Sequence, residues 1–95
     1  MRRRRFDHLY LELCLTLGAR LPRFELWMAL AEAGSTPEDL ARGDALAFCD
    51  EGLQTFLRSR GYRLGPVPAR RLRRAVALFD PRYPTPYERL AALTG

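Results

Sequence analysis

Apolar residues return every three or four positions along most of this chain, and no stretch alternates long enough to make a strand. Phe6, Leu9, Tyr10, Leu13 and Leu17 mark a first helix over 6–17, with Gly18 as its stop. Leu11, Cys14 and Leu15 widen that stripe until little besides Asp7, His8, Glu12 and Thr16 is polar. A helix this apolar needs cover on more than one side, so it is either the centre of the domain or part of a subunit contact.

Pro22 suits a helix start, and 23–33 forms a second helix ended by Gly34. Its stripe is Phe24, Trp27, Met28 and Ala31, broadened by Leu26 and Leu30. Trp27 is expected in the core, the other reading being an exposed hot spot for a partner. Thr36-Pro37-Glu38-Asp39 predicts a short third helix with a hydroxyl cap, cut off by Gly43. Asp44 then caps a fourth over 45–60, burying Leu46, Cys49, Leu53, Phe56 and Leu57, with Gly52 marking a bend and Gly61 the end.

A loop over 61–67 leads to the cleanest amphipathic helix, from Pro68 to Phe79. Leu72, Ala75, Val76 and Phe79 fall within an arc of about 100°. Arg70, Arg73, Arg74 and Ala77 point the opposite way, and Arg71 lies on a flank. Asp80 to Pro84 is a rigid connector, and Thr85-Pro86-Tyr87-Glu88 is a capping box that starts a last helix through Leu90 and Leu93. The fold class is therefore all-α, a compact bundle of five or six short helices forming one domain over 1–95.

Charge sharpens this picture. All sixteen cationic side chains are arginine, and eight of them lie in two clusters, Arg2, Arg3, Arg4 and Arg5, and Arg70, Arg71, Arg73 and Arg74. Lysine, isoleucine and asparagine are all absent. Their codons are AT-rich, so a GC-rich genome accounts for the choice of arginine over lysine. It does not account for the clustering. Residues 1–23 hold six arginines against two acids, 24–52 one against seven, and 53–95 nine against two. This basic-acidic-basic order suits either a basic face for a polyanion or attraction between acidic and basic helices.

The guanidinium fork matches phosphate oxygens two at a time, which makes phosphate the first partner to expect. With no asparagine and only Gln54, adenine edges have few readers, so backbone contacts are favoured over base contacts. Ala29 to Arg42 has the cadence of a helix-turn-helix, yet its second helix would offer Glu38 and Asp39 to phosphates with only Arg42 to offset them. An ordinary helix pair is the expectation there.

Other chemistries find little footing. His8 and Cys14 stand six positions apart, about 120° around one helix, and Ser35 and Ser59 are the remaining serine hydroxyls. One histidine and two cysteines separated by 35 positions make no recognisable metal set, and the 61–65 segment lacks the lysine and strand of a phosphate loop. No enzyme, cofactor or metal is expected. Arg3-Arg4-Arg5-Phe6 loosely matches an export signal, but Asp7 and Glu12 interrupt the apolar core one would need, and two cysteines give no disulfide framework.

The expected protein is thus a cytoplasmic, non-catalytic binding module that contacts a polyanion, nucleic acid first. The contacts would run through Arg70, Arg71, Arg73 and Arg74, with Arg2, Arg3, Arg4 and Arg5 secondary. The rival expectation is a protein-interaction or self-assembling, homo-oligomeric adaptor. No membrane partner is expected.

Overall fold

A computed structural model describes residues 3–94. Its helices are α1 (Arg4–Leu17), α2 (Arg23–Glu32), α3 (Arg42–Ala47), α4 (Leu53–Arg58), α5 (Pro66–Leu78) and α6 (Pro86–Thr94). No strand occurs among the described residues. The all-α expectation holds. None of these helices is long and apolar enough to cross a membrane.

The helix ends follow local chemistry. Gly18 adopts φ 66°, and the Ala19 amide reaches back to the Cys14 carbonyl, closing α1 with the left-handed cap that glycine enters without steric penalty. At α6 the capping box is complete: Thr85 Oγ1 accepts the Glu88 amide, and Glu88 Oε1 accepts the Thr85 amide at 3.0 Å. Pro66, rather than Pro68, takes the first position of α5, so the preceding loop is shorter than the glycines and prolines suggested.

Two expectations give way between residues 36 and 60. Pro37–Asp39 winds only into a 3-10 turn, and Thr36 makes no side-chain cap bond. Pro37 is buried there, so packing rather than helix propagation fixes the segment. The helix-turn-helix cadence consequently lacks its second helix. Nor does Gly43 stop anything, since α3 already begins at Arg42 behind an extended, uncapped Ala41, and Asp44 lies inside the helix.

Residues 42–58 form one rod in which α3 and α4 are joined by a π turn, Phe48–Gly52, where the Leu53 amide bonds the Phe48 carbonyl five residues back. The core pattern explains the turn. Wound as a plain α-helix, Ala45, Phe48, Leu53, Phe56 and Leu57 would spread over about 180° of circumference. One extra residue absorbed in the π turn gathers them into about 100°, a single buried stripe. All five are buried, whereas the expected Leu46 and Cys49 only pack along its edge.

That stripe meets Phe6, Leu9 and Leu13 of α1, Leu26 and Leu30 of α2, and Leu72 and Val76 of α5. In α2 the expected stripe is the wrong one. Leu26 and Leu30 are fully buried, Trp27 is half-buried edge-on to Phe6 at 5.0 Å, and Phe24 stands 71% exposed. A helix apolar on nearly every side does not announce which side faces inward. The Tyr10 hydroxyl donates to the Leu21 carbonyl and fastens the α1–α2 connection to the core.

Gly52 is needed for space. A Cβ there would stand 3.0 Å from Cδ1 of Phe48, whereas one on Gly43 would meet nothing within 4 Å. Gly52→Ala should therefore destabilise by about 1–2 kcal/mol through overpacking. Gly43→Ala should stabilise by about 0.5 kcal/mol through helix propensity. Urea unfolding of the two variants checks both signs.

Candidate functional site

Leu72 and Val76 bury one side of α5, and this turns Arg70, Arg71, Arg73 and Arg74 to the surface, all four exposed. Arg73 is nevertheless engaged. Its Nε and Nη2 grip both carboxylate oxygens of Asp50, at 2.7 and 3.1 Å, and this pairing holds the Asp50 carboxyl below its usual range. Arg70, Arg71 and Arg74 take part in none of the ion pairs formed among the described residues.

The row continues beyond α5 itself. Arg42, at the start of α3, donates Nε to the Ala77 carbonyl at 2.9 Å. That oxygen is one of the last four of α5 and has no acceptor role within the helix, so the guanidinium both caps the helix and complements the negative end of its dipole. Arg70, Arg74 and Ala77 lie along one side of the helix, spanning about 10 Å of axis. Arg42 therefore adds a cation at the far end.

The amino-terminal cluster divides. Arg2 lies outside the described residues, and Arg3 is exposed. Arg4 donates to both oxygens of Glu88 at 2.6 and 2.8 Å and to the carbonyls of Pro81 and Tyr83, binding α6 and its connector to α1. Arg5 makes no such tie and lies over the ring of Phe79, 5.5 Å from its centroid. Its pKa is lowered, first by burial and then by the positive field of Arg42, with Asp80 acting in opposition. Arg5 and Arg42 thus share one electrostatic neighbourhood at the end of α5. Arg4 serves as a structural tie, while Arg5 lies half-buried over Phe79 within the field of Arg42.

Phe79 organises this junction. Its ring is buried, lies 5.7 Å from the Arg4 guanidinium, and stacks on His8 with centroids 4.2 Å apart. The connector after it is stiffened by Asp80, whose carboxylate accepts the Arg82 amide and the Arg82 guanidinium, and whose pKa falls to about 2 for that reason. Sequence spacing identified Phe79 as core but gave no sign that three cationic or titratable side chains of α1 gather on it. In the sequence Arg42 belongs only to the helix-turn-helix cadence, and its docking on α5 is a tertiary fact without local signature.

Of the groups with catalytic potential, Cys49 lies close to this face, within the field of Asp50 and Arg73. Cys14 and Cys49 are free, and burial pushes the Cys49 thiol up to about 11 with Asp50 adding to the effect. Among the described residues no three His, Cys, Asp or Glu side chains converge as a metal site. Comparison with family models, curated proteins and solved structures gives no match.

His8 supplies a pH dependence. Burial first, and then Arg5, lower its pKa from 6.5 to about 4, against a smaller opposing pull from Glu88. Glu12 also approaches, Oε1 standing 3.6 Å from Nε2, and its own pKa is raised by burial. Between pH 6.5 and 4 the unfolded chain binds the extra proton and the folded one does not. The stabilisation is complete above pH 6.5 and is lost as pH falls towards 4. Urea unfolding from pH 7 to 4.5 should show a loss of about 1–3 kcal/mol. His8→Phe should flatten the slope over that window.

Proposed function

We propose that this protein is a small non-catalytic helical module that binds nucleic acid through its phosphate backbone along the outer face of α5. The observation that carries the reading is the exposed row of Arg70, Arg71 and Arg74, which take part in none of the ion pairs among the described residues, with Arg42 docked at the carboxyl end of the same helix. A duplex strand carries one phosphate per about 3.4 Å of axis, so cations spread over about 10 Å can reach more than one of them. Burial and then the field of Arg42 lower the Arg5 pKa, with Asp80 opposing, a cost that an added anion would relieve. Gln54, the one side-chain amide, already donates to the Leu64 carbonyl at 3.2 Å, in keeping with backbone rather than base contacts. Residence in the cytoplasm belongs to the same proposal and is supported by the two free cysteines.

A self-assembling adaptor is the second reading, favoured by Leu11 and Leu15, which stand 38% and 48% exposed one turn apart on α1. Light scattering after gel filtration at low and high salt separates the two, a monomer at both removing self-assembly.

Fluorescence anisotropy with labelled duplex DNA and single-stranded RNA tests the main reading. Binding should weaken with salt, and each of Arg70→Gln, Arg71→Gln and Arg74→Gln should lower the slope of log K against log salt by about 0.9 on duplex. Arg73→Gln should have a smaller effect, because Asp50 already holds that guanidinium. No binding at low salt, or binding indifferent to the three substitutions, refutes the proposal.

A further inference from the structure

A second surface lies away from the arginine face, where α2 runs beside the π turn and α4. The two walls enclose an open trough of about 610 Å³. Phe48 and Phe56 form its floor, paired edge to face at 6.1 Å, and Gly52 sits between them without a side chain. The space above Gly52 is kept by sterics, since a Cβ there would press on the Phe48 ring. On the α2 side Phe24 and Met28 stand one turn apart, 71% and 39% exposed. Both walls present apolar or small side chains at helical spacing, so the trough runs parallel to helix axes.

Its rim is acidic. Glu25, Glu32 and Glu51 line it, together with the single cation Arg60. Arg60 is already engaged. It pairs with Glu25 at 3.4 Å, donates to the Phe56 carbonyl, and lies over the Phe56 ring at 4.1 Å. Glu32 and Glu51 belong to none of the ion pairs among the described residues. The surrounding segment, 24–52, carries seven acids and one arginine.

An apolar trough along two helices with carboxylates on its lips complements one kind of occupant. We infer that this groove docks a basic amphipathic helix of another protein, with leucine-like anchors at i, i+3 or i+4, and i+7 entering over Gly52 and flanking cations meeting Glu32 and Glu51. The chain's own basic amphipathic helix cannot serve, because α5 already buries Leu72 and Val76 in its own core. The groove is distinct from the arginine face. A module carrying both would hold a basic protein segment on one side and a polyanion on the other.

The full chain can be tested with synthetic peptides. One bears leucines on a helical stripe with lysine elsewhere, a second replaces lysine by glutamate, and a third scrambles the leucines off the stripe. The lysine peptide should bind and gain helicity by circular dichroism, while the other two bind at least about tenfold more weakly. Phe24→Ser with Met28→Ser should weaken binding about tenfold or more. Glu32→Gln with Glu51→Gln should weaken it chiefly at low salt. Arg70→Gln with Arg74→Gln should leave it unchanged. Amide shifts in the ¹⁵N-labelled wild-type protein should centre on Ala29, Gly52 and Thr55, a readout that needs no variant to fold. Equal binding of all three peptides, shifts centred elsewhere, or a homodimer abolished by the Phe24 and Met28 substitutions would overturn the inference.

Discussion

The geometry at the end of α5 depends on where Phe79 sits. Leu72 and Val76 seat α5 on the core, and Phe79, the first residue beyond the helix, drops its ring against the start of α1. His8 covers that ring, and Glu12 shares a recess with Ala75 one turn earlier, so α1 and α5 run against each other's direction. This opposition brings the amino-terminal arginines to the carboxyl end of α5, where the helix dipole is negative and carbonyls need donors. With α1 aligned the other way, Arg4 and Arg5 would lie at the positive end of the same helix.

Arginine therefore does two kinds of work in this molecule. Arg4, Arg23, Arg42, Arg60, Arg73 and Arg82 are held by carboxylates, carbonyls or rings, and all but Arg82 join one element to another. Most of these pairs are exposed, so their value lies in fixing orientation more than in adding stability. Arg70, Arg71 and Arg74 are among the arginines outside those ion pairs, and they alone of that group share one helix face. A stretch of arginines in sequence is not one functional unit, since Glu88 ties down Arg4 but not Arg5, and Asp50 ties down Arg73 but not Arg74.

The limits of the sequence follow the range of the interactions. Gly18 as a stop and Thr85 with Glu88 as a capping box were legible because each is settled within a few residues. The buried stripe of α5 was legible because its polar side is emphatic. For α2 no such contrast exists, and Leu26 and Leu30, rather than Phe24 and Met28, join the common core cluster. The tie of Arg4 to Glu88, the docking of Arg42 at Ala77 and the grip of Asp50 on Arg73 depend on elements far apart in the chain. No local pattern encodes them. The acidic segment was visible as composition, but its trough appears only when α2 lies beside Phe48 and Phe56.

The π turn has a mechanical consequence. Asp50 and Glu51 are consecutive residues within it, and the first faces the arginines of α5 while the second lines the acidic trough. Losing or shifting the extra residue would turn one half of the rod against the other by about 100°. Asp50 would swing away from Arg73 in the same movement that carried Glu51 off the rim and lifted Phe48 from the floor. The winding of five residues thus acts as a common hinge pin for both surfaces, and neither can be rewound alone.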